Sequence, residues 1–139
     1  MDYETYKNKY FTDPPPKQRY SFTGNFGVTL FYQDYAAAVA YYERVLGPPT
    51  YVEGEGTRGW GIGQGWLTLL KGSAGNPRNL EITFVVSTSA EAEALQQAFI
   101  EAGGSGPAPS DELMYDPIRY CAVTDPFGVD LLIISPLMI

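Results

Sequence analysis

From Phe26 to Tyr32 the chain alternates. Val28, Leu30 and Tyr32 fall on one side of an extended backbone and Gly27, Thr29 and Phe31 on the other, which predicts a half-buried strand. The period then lengthens. Asp34 stands where a helix cap belongs, and Tyr35, Ala38, Val39, Tyr42 and Leu46 recur at helical spacing, so a helix is predicted over Tyr35–Leu46. Gly47-Pro48-Pro49 stops it. Short strands are predicted near Thr50–Glu53, Thr57–Ile62 and Trp66–Lys71, punctuated by glycines at 54, 56, 59, 61, 63 and 65. The turn-rich segment Gly72–Asn79 ends this unit.

The same order then returns. Leu80–Val86 reads as a strand with Ile82, Phe84 and Val86 on one face and Glu81, Thr83 and Val85 on the other. Thr88-Ser-Ala-Glu91 is a capping-box pattern, and the helix it opens runs to Ala102 with Leu95, Ala98, Phe99 and Ala102 on its apolar stripe. After Gly103-Gly104 and a Gly/Pro/Ser loop, strands are predicted near Ile118–Thr124 and Val129–Ile134. Val28, Leu30, Tyr32 and Asp34 precede Ile82, Phe84, Val86 and Thr88 by 54 residues each. Such a repeat predicts an α+β fold of two tandem βαβββ modules, about 24–72 and 79–136, packed with pseudo-twofold symmetry. Each half is too short for an independent core, so residues 21–139 read as one domain. Residues 1–20 read as an N-terminal arm: four Tyr, one Phe and the run Pro14-Pro15-Pro16, with no periodic apolar face. The aromatics point to packing on the arm's own domain or on a partner subunit, the other reading being a frayed terminus.

Composition narrows the chemistry. The 139 residues include no histidine, which removes a Ser-His-Asp triad, a Cys-His pair and any imidazole metal site. A single cysteine, Cys121, allows no intrachain disulfide and reads as a buried thiol. The net charge of −7 speaks against nucleic acid as a partner. It is unevenly spread, with nine acids and only Arg119 as a base after residue 78. That half is either a solvated surface or one that attracts cations. No apolar run is long enough to cross a bilayer, and no signal core is seen at the N-terminus, so a cytoplasmic protein without a membrane partner is expected.

The segment DYAAAVAYYERVLG, from Asp34 to Gly47, resembles the "D…A..FY..vLG" helix of the vicinal oxygen chelate superfamily, which includes glyoxalase I, extradiol dioxygenases, fosfomycin resistance enzymes and bleomycin resistance proteins. The segment RYCAVTDPFG, from Arg119 to Gly128, is similar to that family's turn before its last strand. The resemblance covers roughly residues 24–136. It implies a curved sheet around a U-shaped cleft, and a homodimer. In metal-dependent members a divalent ion is held by His, Glu or Gln on the first and last strands of each module. Those positions fall here on Gly27, on one of Leu67, Thr68, Leu69 and Leu70, on Glu81 and on Leu132. A single carboxylate does not make a dedicated divalent site, so no metal and no cofactor are expected. That departure points away from an enzyme and toward the metal-free, bleomycin-resistance-like type, which sequesters a small molecule in an aromatic cleft.

Six residues are candidates for such a cleft. Trp60 and Trp66 flank the glycine-rich GWGIGQGW, where they read as stacking surfaces for a flat, aromatic or cationic ligand, or else as core or interface residues. Thr29 and Phe31 lie on the strand face expected to look into the cleft. Glu81, between apolar neighbours, reads as a cation partner or a general base, or else as half of an ion pair with Arg119 or Arg58. Arg119 reads as an anion-orienting group or as that pairing partner. Asp125 reads as turn chemistry. An enzyme with Glu81 as base, and a dimer with a vestigial cleft, are the alternatives.

Overall fold

The computed structural model describes residues 1–137. Two four-stranded sheets follow the two halves of the chain. The first contains β1 (Gly27–Tyr32), β2 (Tyr51–Val52), β3 (Thr57–Ile62) and β4 (Gly65–Lys71) in the order β1-β4-β3-β2. The second contains β5 (Glu81–Val85), β6 (Ser110–Met114), β7 (Asp116–Thr124) and β8 (Asp130–Pro136) in the order β5-β8-β7-β6. In each, the first strand pairs in parallel with the last and the rest run antiparallel. The predicted α+β pair of βαβββ modules is therefore the architecture observed.

Alternation decides which face each sheet buries. Leu30 and Tyr32 are buried while Thr29 and Phe31 are exposed, and Ile82 and Phe84 are buried while Glu81, Thr83 and Val85 are exposed. The helices cover the buried faces. The first module's helix, Tyr35–Leu46, lies against β1 and β4, and the second module's helix, Ser89–Glu101, lies against β7 and β8. Between them runs one core shared by both modules, rich in Tyr32, Tyr41, Tyr42, Trp60, Phe84 and Phe99. Cys121 is buried within it. Gln96 enters this core by donating from its amide to the carbonyls of Pro107 at 3.0 Å and Ala122 at 2.7 Å.

Asp125 does more than shape a turn. Its Oδ1 accepts the backbone N–H groups of Phe127 and Val129 at 2.8 and 2.9 Å, which is the turn chemistry expected. Its Oδ2 accepts the hydroxyls of Tyr32 at 3.0 Å and Tyr42 at 2.8 Å, both from the first module. The carboxylate is only 4 % exposed, so a second-module turn is bolted to a first-module strand and helix.

Three elements differ from the sequence reading. Tyr3–Tyr10 forms a helix, α1, inside the arm; Asp2 caps it by accepting the N–H of Thr5 at 2.8 Å. Tyr3, Tyr6 and Tyr10 are spaced to share one side, so the arm has an aromatic period in place of an aliphatic one. The helix packs on the β6–β7 hairpin of its own chain, where the Tyr3 hydroxyl donates to the Tyr115 carbonyl at 2.8 Å and the Tyr115 N–H donates to the Tyr6 hydroxyl at 3.2 Å. Strand β6 was not legible because Ser110, Asp111 and Glu112 read as loop; it is an edge strand, where such residues are tolerated. Asp34 does not cap its helix through its side chain. Its carboxylate instead accepts the Asn76 amide at 2.8 Å, tying the helix start to the Gly72–Asn79 loop. Thr88, by contrast, accepts the Glu91 N–H at 3.1 Å as its capping pattern predicts.

Two predictions follow from the buried carboxylate. Asp125→Ala removes the acceptor shared by two buried phenol hydroxyls, leaving them only a long 3.4 Å bond to each other, and lowers unfolding free energy by about 2–5 kcal/mol, read by chemical denaturation. Alkaline pH has a defined sign. Burial pushes the Tyr32 and Tyr42 phenols well above their ordinary value of 10.0, with the adjacent Asp125 charge adding to it. The unfolded chain therefore loses these protons first. Their contribution is complete below pH ~10 and declines as pH rises above it, so the denaturation midpoint falls through that range.

Candidate functional site

The open face of the first sheet carries the candidate site. Register places Gly27 beside Trp66, Thr29 beside Thr68 and Phe31 beside Leu70 on β1 and β4, and Gly61 and Gly59 beside Trp66 and Thr68 on β3. Tyr51 of β2 stands beside Gly59. Two glycines and two threonine side chains thus leave a low floor, bounded by Tyr51 at 53 % exposure and Trp66 at 51 %. A recess of about 290 Å3 lies here, lined by Thr50, Tyr51, Gly59, Trp60, Gly61, Trp66 and Thr68. It contains no charged side chain among its lining residues. The Tyr51 hydroxyl donates to Glu53 Oε1 at 2.8 Å, which fixes the ring and holds its phenol proton more tightly than usual. An electron-rich ring and an indole bordering one glycine-floored recess suit a planar ligand, and a cationic one above all.

Trp66 holds an unusual seat. A Cβ on Gly27 would collide with the Trp66 indole, so the ring lies directly on the β1 backbone at that point. Only glycine permits the approach.

The six predicted residues do not come together. Trp66, Thr29 and Phe31 share the open face of the first sheet. Trp60 does not: it is 3 % exposed in the core, and its indole N–H donates to the Gly47 carbonyl at 2.8 Å. Strand alternation explains this, since Trp60 pairs with Leu67 and Gly61 with Trp66, which sets the two tryptophans on opposite faces. Arg119 also lies elsewhere. It bridges Glu93 at 2.8 Å and Asp111 at 2.9 Å, and those carboxylates raise its guanidinium pKa. The expected pairing with Glu81 is thus not made; Glu93 and Asp111 take its place. Glu81 is exposed on the open face of the second sheet beside Asp130 and makes no ion pair among the described residues; Arg58 donates to the carbonyls of Gly54 and Thr57. Tyr51 and the Gly59/Gly61 floor were missed. The signal was present in GWGIG, whose alternate glycines leave one strand face bare.

The positions that the family resemblance assigns to a divalent ion do not fit one. Gly27 offers no donor and lies under an indole. Thr68 and Leu70 are the open-face members among the β4 candidates, and leucine offers no donor; Leu132 is fully buried, and Glu81 alone is a carboxylate. Among the described residues no group of three or more His, Cys, Asp or Glu side chains could hold a metal ion.

The sequence model of the Glyoxalase/Bleomycin resistance protein/Dioxygenase superfamily matches residues 25–133. The chain belongs to that superfamily. Solved structures share its fold. A glyoxalase/bleomycin resistance protein from Albidiferax ferrireducens T118 has a TM-score of 0.67 at 15 % identity, covering 80 % of this chain and 97 % of its own. A lactoylglutathione lyase from Agrobacterium tumefaciens has a TM-score of 0.64 at 16 % identity, covering 82 % and 94 %. The fosfomycin resistance protein FosX from Mesorhizobium loti has a TM-score of 0.62 at 15 % identity, covering 85 % and 96 %. At such identities the likeness is one of fold. No curated protein matches the chain. Among the described residues no helix is long and apolar enough to cross a membrane.

Gly27→Ala tests the seat of Trp66. The added methyl must displace the indole, so near-ultraviolet circular dichroism changes while far-ultraviolet circular dichroism and the melting transition stay close to wild type.

Proposed function

We propose that this superfamily member binds a small molecule without a metal, by stacking a flat and preferably cationic ring on the shelf between Tyr51 and Trp66. The single observation that carries the reading is the composition of that shelf: two half-exposed aromatic rings over a floor of Gly59 and Gly61. The absence of a workable donor set at Gly27, Thr68, Glu81 and Leu132 supports binding that does not use a metal. Thr29 and Phe31 extend the same face beside the shelf. This is the bleomycin-resistance-like mode, sequestration in place of chemistry, carried out by a cytoplasmic homodimer in which a second copy faces the open sheets.

A second reading rests on Glu81. Its carboxylate is exposed, free of a cation among the described residues and adjacent in register to Asp130, so it is available to take a proton from a bound substrate. In that reading the protein is a lyase or isomerase with Glu81 as base.

One calorimetric series separates the two. With proflavine, a flat cationic ring, the wild type binds, Trp66→Ala and Tyr51→Ala each weaken binding at least about tenfold, and Glu81→Gln changes it little. No heat with proflavine or other flat cations removes the stacking reading. Turnover of a glyoxalase-type substrate that Glu81→Gln abolishes puts the enzyme reading in its place.

A further inference from the structure

The two tryptophans are held very differently. Trp60 is buried and pinned by its hydrogen bond to Gly47. Trp66 is half exposed, its indole N–H has no protein partner among the described residues, and it rests on glycine. Trp66 also belongs to two cavities at once. On one side is the shelf of about 290 Å3. On the other is a separate cavity of about 340 Å3 at the seam between the modules. Its walls include Phe26 and Val28 from the first module and Ile82, Phe84 and Val85 from the second. Strands β1 and β5 are both edge strands, each hydrogen-bonded on one side only, which is why the seam is not closed by a ladder.

We propose that Trp66 is a movable partition between the shelf and the seam, and that the ligand is two-part: a flat ring on the shelf joined to a neutral, apolar arm that enters the seam. The inference rests on the stacking reading and extends it. The chemistry of the seam specifies the arm. None of its lining residues is charged, and Gln64 is the one side-chain amide. An ionised arm would lose its hydration there without a counter-charge, whereas a hydrocarbon arm gains by leaving water. Gly27 makes the movement possible. With no Cβ under the ring, the indole swings without lifting β1 from β4, whose ladder runs from Gly27 to Tyr32. The partition leaves the backbone where it stands.

The test is an affinity series by calorimetry with proflavine and its N-butyl and N-hexyl derivatives. Each methylene that enters the seam tightens binding roughly three- to fourfold until the cavity is filled. Val85→Trp and Thr83→Trp, two substitutions at exposed positions that fill the seam, flatten the series to the affinity of the ring alone. Two variants are used so that one which folds poorly does not decide the matter. Proflavine bound with an affinity independent of arm length overturns the seam proposal and leaves the stacking reading standing. An arm-length gain that survives in both filled variants also overturns it, because the arm then lies elsewhere. Failure of proflavine and both derivatives to bind overturns the two readings together.

Discussion

A buried carboxylate holds this molecule together. Asp125 sits in a turn of the second module, yet its outer oxygen is claimed by two tyrosines of the first. A charge so far from water is tolerated only when its lone pairs are met, and here two backbone N–H groups and two phenols meet them. The geometry is demanding. The turn must be formed, Tyr32 must be at the end of β1, and Tyr42 must face inward from the middle of its helix. One carboxylate therefore couples the folding of the two halves, and the aromatic cluster of Tyr41, Phe99 and Phe127 packs around the same point. Neither module has a core of its own to fall back on.

That coupling also frees the other faces of the sheets. Because both module helices and the shared core occupy one side of each sheet, neither module's helix covers the opposite sides. They are chemically unlike. The first offers rings, hydroxyls and bare glycine backbone; the second offers Glu81 and Asp130 at its parallel edge. A substitution of scale rather than charge defines the first. Where the superfamily resemblance assigns a donor to β1, glycine stands, and an indole from the neighbouring strand fills the space. The indole that lies where that donor would stand is half exposed and has no hydrogen bond among the described residues to fix it.

The repeat, the helix spans and the inward faces of β1 and β5 were legible because each depends on local periodicity. Val28-Leu30-Tyr32 and Ile82-Phe84-Val86 announce a strand, and the helix after each follows from spacing and turn chemistry. Strand β6 and helix α1 were not legible for a common reason. Their residues are largely polar or aromatic, and what stabilises them is contact outside the element itself: pairing with β7 for the one, Tyr115 for the other. Asp34 shows the same limit in reverse. A side chain suited to capping was taken by Asn76, 42 residues away.

The sequence by itself determined the module order, the buried and open faces of each first strand, the lack of imidazole and the poverty of metal donors, because these are properties of residue type and of short-range spacing. Tertiary structure alone decided which tryptophan is core and which is surface, since that depends on the β3–β4 register. It decided that Arg119 serves Glu93 and Asp111, and that Asp125 binds the tyrosines of the other module. Each of those outcomes is a choice among several partners, and the Arg119–Glu93 and Asp125–tyrosine choices join groups 26 to 93 residues apart. Such choices are settled by which groups the packed core brings within hydrogen-bonding reach, and no local pattern encodes that distance.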